Sequence, residues 1–386
     1  MKKKLTLLTL SAALLLSACG NTIAENNDIR SSVANNESAA DSRSAEPVTE
    51  DTAETVTTAA ETVTTTTTTP TTTTPPVTTT EPPAEETYEY MNGCILAYAG
   101  TPQVRAMEEF YYSTENGRYL ADCVDVFADS VGANVSTSLM LIPTSQAFYT
   151  PAELKDSYPD QKECADEVYS MMTSGKGVPI NSILEEHKAE YIYSRTDYHW
   201  QPLAAYYAAK VYAEQSGVDF ADLKSYEEVE REGYLGAFYS VNDIYPLEEY
   251  PDTFTYYKPA NLDKLGVVFH DTYFGEGYEG QLFFEDNDIA SSYTVFVGTD
   301  DTILEVDTDA ANDRVLVIFK DSYGNALVPF LTSSFKKIYL CDNRFFDINS
   351  VNFVHDVGAT DVLFALGAAS SGNYDKIELI ENNMYK

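Results

Sequence analysis

Two spacings of apolar residues run through residues 88–386, and they predict different elements. Leu120, Val124, Phe127 and Val131 fall on one side of a 3.6-residue repeat, which predicts an amphipathic helix over 119–131. The same repeat predicts helices over 161–172, 182–187 and 201–215, the last opened by Pro202, whose fixed φ suits a first helical turn. Short, nearly continuous apolar runs predict buried strands over 95–98, 138–143, 178–180, 190–193, 315–319, 337–340 and 362–366, and a helix is predicted over 325–335. Apolar strands alternating with helices predict an α/β fold whose sheet is mostly parallel and flanked by helices. Residues 217–310 break this rhythm. They are rich in aromatic, Asp and Gly residues with short alternating runs, and read as an irregular β-rich insertion.

The pattern is absent before residue 88. Lys2, Lys3 and Lys4 precede an apolar stretch from Leu5 to Ala18 that is short for a membrane span. Leu16-Ser17-Ala18-Cys19 resembles a bacterial lipobox, in which Cys19 would carry the lipid, so residues 1–19 are expected to be a lipoprotein signal peptide. Residues 20–87 hold runs of Thr broken by Pro and almost no large apolar side chains, and are expected to form an unfolded stalk. The expected setting is extracytoplasmic, with the N-terminal anchor as the sole membrane contact.

The net charge of −37 argues against nucleic acid or an anionic lipid surface as partner. Besides Cys19, the chain has Cys94, Cys123, Cys164 and Cys341, an even number that permits two disulfides with three possible connectivities. No spacing of Cys and His points to a metal. Asp307, Asp309 and Asp313 form an incomplete calcium-loop pattern, with Ile318 where a bidentate Glu is needed. Neither metal nor cofactor is expected.

Two segments carry candidate chemistry. The apolar run 315–319 leads into Asp321-Ser322-Tyr323-Gly324-Asn325, which sets Ser322 at the carboxyl end of a strand, where ligands of α/β sheets collect. Asp197 and His199 are two residues apart in an extended segment and point the same way. An acid, an imidazole and a hydroxyl are the parts that turn a weak alcohol into a nucleophile. Each segment alone also has a plainer explanation, a helix cap at Asp321 or Ser322 and a packed histidine. His270-Asp271 is a rival pair, whereas His187 and His355 read as helix-end or loop residues.

Thr196-Asp197-Tyr198-His199-Trp200, followed by Pro202, Ala204, Ala205, Tyr206, Tyr207 and Ala208, resembles the segment that names the DHHW family of bacterial exported proteins. Lys320 to Leu331, Ile338 to Phe346, Pro143-Thr144 with Phe148-Tyr149, and Asp361 to Phe364 resemble its other blocks. That family is similar to the SGNH-like domains of the alginate acetylation proteins, which carry an Asp-x-His block before a Ser block. The resemblance implies an SGNH-hydrolase-like fold. It also implies a triad of Ser322 as nucleophile, His199 as base and Asp197 as its orienter. It implies lesser roles in substrate or oxyanion binding for Arg344, Asn325, Gly324, Tyr198 and Trp200. The implied function is an O-acyltransferase or esterase acting on a carbohydrate polymer or an acyl donor. Tyr198 departs from the family's name, which has His there. The alternative is a non-catalytic surface module that binds glycan or protein on the same fold.

Overall fold

The computed structural model describes residues 86–386. The expected signal peptide, Cys19 and all but the last two residues of the expected stalk lie outside the described residues. The central sheet has eight strands in the order Lys176–Gly177, Ser136–Ile142, Asp361–Gly367, Val315–Lys320, Lys337–Asp342, Ile303–Asp307, Gly266–His270 and Tyr278–Glu279. The first five run parallel and the last three add antiparallel. The sheet is therefore mixed. Its antiparallel part comes entirely from the segment read as an irregular insertion, which instead widens the sheet. That segment also forms a separate hairpin of Glu227–Tyr234 with Asp252–Lys258.

Side chains alternate across the sheet, as the period of two requires. Leu316, Ile318, Leu363 and Ala365 enter one apolar cluster with the helix Pro202–Ser216. Val317, Phe319, Val362 and Phe364 enter the other with the helices Thr114–Val131 and Tyr374–Met384. Both faces are thus covered, which is why the central strands read as continuous apolar runs. Helix Thr114–Val131 starts five residues before the expected point, because Ser113 caps it through the Asn116 N–H.

Four expected elements differ. Residues 95–98 do form a strand, Cys94–Ala97, but in a separate three-stranded sheet with Tyr88–Met91 and Arg105–Glu108. Pairing near residue 178 is confined to Lys176–Gly177, since Pro179 has no N–H to extend the ladder and the helix Asn181–His187 follows. Residues 190–193 form no strand, because Tyr191 takes a left-handed φ of 58°, and only a single Tyr193–Trp200 bridge remains. The helix expected over 325–335 is a 3-10 turn, Ser322–Leu327, followed by the short α-helix Val328–Leu331, whose first turn holds Pro329.

Among the described residues, Cys123, Cys164 and Cys341 form no disulfide, so none of the three permitted connectivities is made. Cys123 and Cys341 belong to one apolar cluster, Cys94 and Cys164 to two others. Among the described residues, no helix is long and apolar enough to cross a membrane.

Phe127 is fully buried and meets Phe319 and Phe364 edge-on, at ring-centroid distances of 5.8 and 5.0 Å. Phe127→Ala is expected to lower stability by about 3–5 kcal/mol, read as a fall in the urea midpoint at unchanged slope.

Candidate active site

Ser322 lies two residues beyond Lys320, the last residue of the central strand Val315–Lys320. Asp321 fixes this exit: one carboxylate oxygen accepts from the Tyr323 N–H at 3.2 Å, the other from Gly367 N–H at 2.8 Å and Ser370 Oγ at 3.1 Å. The bonds to Gly367 and Ser370 tie the turn to the end of the neighbouring strand.

The second segment is held by a buried anchor. The Asp252 carboxylate accepts from the Arg195 and Thr196 N–H groups, Thr196 Oγ1, Arg195 Nε and the Tyr191 hydroxyl. This leaves Asp197 directed inward, where its carboxylate has four partners. Oδ1 accepts from the His199 N–H at 2.8 Å and meets His199 Nδ1 at 2.7 Å. Oδ2 accepts from Tyr234 Oη and the Ala237 N–H, both at 2.8 Å. Burial raises the Asp197 pKa, but the imidazole and these donors outweigh burial and hold it below the ordinary value. A carboxylate only accepts, so Nδ1 carries the proton and the lone pair of Nε2 faces Ser322 Oγ at 2.8 Å. Gly236 leaves room for this arrangement, because a Cβ there would run into Asp197.

The two segments are clasped in both directions. Trp200 Nε1 donates to the Tyr323 carbonyl at 3.1 Å, and Tyr323 Oη donates to the Tyr198 carbonyl at 2.6 Å. A cavity of about 340 Å³ opens over the junction, lined by Asp197, Tyr198, His199, Ser322, Asn325 and Arg344 among others.

The remaining expected residues fall into two groups. Tyr198, Asn325 and Arg344 reach the cavity. Trp200 does not line it: the ring is wholly buried and serves the clasp. The Gly324 N–H is taken up by the Asp321 carbonyl at 3.0 Å, and the glycine is needed because a Cβ would meet Lys320. His270 turns to the Gly275 carbonyl and Glu305 rather than to a hydroxyl. His187 bonds Glu190, and Asp309 pairs with Lys264.

Sequence reading missed Tyr234, Gly236, Ala237 and Tyr293, all within 217–310. It also missed an ionic cluster beside the cavity. Lys320 Nζ lies between Asp300 and Asp342, both of which also pair with Arg344, while Asn325 Nδ2 donates to Asp300 at 2.9 Å. Burial pushes the Asp300 carboxyl up, but Lys320, Asn325 and Arg344 prevail and hold it well below the usual carboxylate range.

The family model described as DHHW protein matches residues 105–341. The chain belongs to the DHHW family. A DHHW protein from Eubacterium siraeum DSM 15702 is 32% identical, with a TM-score of 0.72 over 77% of this chain and 97% of that one. Bacillus cereus PatB1, solved with a sulfonyl adduct, is 16% identical, with a TM-score of 0.60 over 76% of this chain and 98% of that one, a likeness of fold. The O-acetyltransferase domain of Pseudomonas putida AlgJ is 14% identical, with a TM-score of 0.40 over 77% of this chain and 99% of that one. None of the curated proteins compared with this DHHW protein matches it.

Asp300 ties acid stability to the cluster. Its lowered folded-state pKa makes its contribution complete above the unfolded value and lost as pH falls through the folded one. The parent is expected to lose stability below about pH 4. Asp300→Asn is expected to be less stable at pH 7 by about 1–3 kcal/mol and to show a shallower acid decline, measured by urea unfolding at stepped pH.

Proposed function

We propose that this domain is a serine-dependent O-acyltransferase or esterase acting on acyl groups of extracellular or cell-wall carbohydrate. The observation that carries this reading is the hydrogen-bonded chain from Asp197 through His199 to Ser322, opening into the cavity. Ser322 Oγ attacks the acyl carbonyl carbon of the donor while its proton passes to His199 Nε2. The imidazolium is held by Asp197, and then returns the proton to the departing alkoxide as the donor's ester bond breaks. The acyl-enzyme remains. A sugar hydroxyl or water gives its proton to the same nitrogen and attacks the ester, and Ser322 Oγ regains that proton as it leaves. A sugar acceptor makes the protein a transferase, and water makes it an esterase. Asn325 Nδ2 has a second N–H beyond the one held by Asp300, and it is the candidate side-chain donor to the oxyanion.

The sulfonyl adduct of PatB1 supports this reading by fold, since sulfonyl electrophiles report activated nucleophiles. Cys19 at the lipobox-like end and the Thr/Pro-rich residues 20–87 support a domain, residues 88–386, tethered outside the cytoplasmic membrane, within reach of polymeric substrate. A second reading follows from Tyr198, which replaces the family's His on the cavity wall: a non-catalytic module that binds glycan or protein there.

Hydrolysis of a chromogenic acetyl ester separates the two. Turnover is expected in the parent and is expected to fall by about 10³-fold or more in Ser322→Ala and in His199→Ala, with unchanged melting. A folded parent that binds glycan but turns over neither this ester nor an acetylated polysaccharide would favour the binding module.

A further inference from the structure

Tyr293 lies in the 3-10 segment Ile289–Val295, far from either motif in sequence. Its ring stacks on the His199 imidazole with centroids 3.7 Å apart and planes 6° from parallel. Its hydroxyl donates to the carbonyls of Ser322 and Tyr323, both at 3.1 Å. Phe254 and Phe296 meet the ring edge-on at 6.3 and 6.0 Å. The side chain is buried, and burial pushes its hydroxyl well above the ordinary tyrosine value, so it remains a proton donor at neutral pH.

We propose that Tyr293 is the positioning residue of the pair: it sets the imidazole plane, anchors the backbone of Ser322, and favours the imidazolium formed during attack. The first two effects follow from the contacts. The third follows because the face of a phenol ring carries negative potential, so a cation stacked on it is held more strongly than the neutral ring. Other charges surround His199. Asp197 sits at Nδ1, Glu108 approaches from the strand Arg105–Glu108, Asp321 flanks Ser322, and Asp300 and Arg344 stand on the cavity wall. The phenols of Tyr198 and Tyr323 also face the imidazole, with ring centroids 4.3 and 5.2 Å away, and changing Tyr293 removes none of these groups. The inference rests on the acyl-transfer reading only in taking His199 as the base.

The test is covalent labelling of Ser322 in the full chain by phenylmethanesulfonyl fluoride, followed by intact mass at stepped pH. Sulfonylation forms the Oγ–S bond and releases fluoride, while the serine proton passes to His199, so no acyl donor or sugar acceptor is needed. Tyr293→Phe keeps the stacked face and loses the two hydroxyl bonds. It is expected to slow labelling several-fold with the midpoint of the pH curve unmoved. Tyr293→Leu loses both. It is expected to slow labelling by about tenfold or more. Its midpoint is expected to move about half a unit to one unit lower, because the neutral base then persists further into acid. A merely structural role would leave that midpoint in place.

A folded Tyr293→Leu variant that labels at the parent's rate and midpoint would overturn the inference and leave the acyl-transfer reading intact. Should that variant not fold, a Tyr293→Phe variant that labels at the parent's rate would overturn it instead. A parent that labels but transfers no acyl group would sink the acyl-transfer reading alone. A parent not labelled at Ser322 at any pH would sink both.

Discussion

The site depends on one clasp between two segments whose bonded residues, His199 and Ser322, are 123 positions apart in the chain. Closing so long a loop is entropically unfavourable, and a single hydrogen bond between two side chains would not hold it shut. The clasp works because side chains of each segment reach the main chain of the other. The indole of Trp200 takes the Tyr323 carbonyl, and the phenol of Tyr323 takes the Tyr198 carbonyl. Both aromatic bodies are buried, so these bonds form away from competing water. The distance between imidazole and hydroxyl then follows from the backbone.

Much of this was legible in the chain, for physical reasons that differ by element. The run 315–319 identified a strand buried on both faces; Asp197 and His199 do meet, but across a bend over 195–199 in which the His199 N–H also bonds Asp197, not along the extended segment expected. Pro202 marked the start of its helix to within one residue, 201 expected and Pro202 found. The partners of Asp197 were not legible. Tyr234 ends an eight-residue strand whose other side chains are all exposed or half-buried, and Ala237 opens a four-residue helix, too short to leave a period. Tyr293 is one of 29 tyrosines, and nothing local separates a ring stacked on an imidazole from one that packs in the core. The antiparallel half of the sheet was missed likewise. Its strands alternate weakly, and of them Ile303–Asp307 alone pairs with the parallel part, along Lys337–Asp342.

The cluster of Lys320, Asp300, Asp342 and Arg344 changes what the cavity wall offers a ligand. The resemblance implied a role in substrate or oxyanion binding for Arg344; its guanidinium faces two carboxylates, with both Asp342 oxygens engaged. Two cations and two anions cancel locally. Burying them is unfavourable unless each is satisfied, and here the mutual pairing achieves this. This part of the wall then offers shape and hydrogen bonding more than net charge.

The buried thiols carry a consequence of another kind. Burial raises the thiol of Cys123 to about 12 and of Cys164 to about 11, with acidic neighbours adding to both, and it pushes Cys341 well above the ordinary value. Thiolate is the reactive form, so these groups stay inert while the domain is folded. Each sits in a different place: Cys123 on the helix Thr114–Val131, Cys164 in a small cluster with Phe110 and Ala368, Cys341 on a central strand near Lys320. The rate at which an alkylating reagent reaches each one therefore measures how often that part of the protein opens, giving three built-in clocks for local unfolding without a label being introduced.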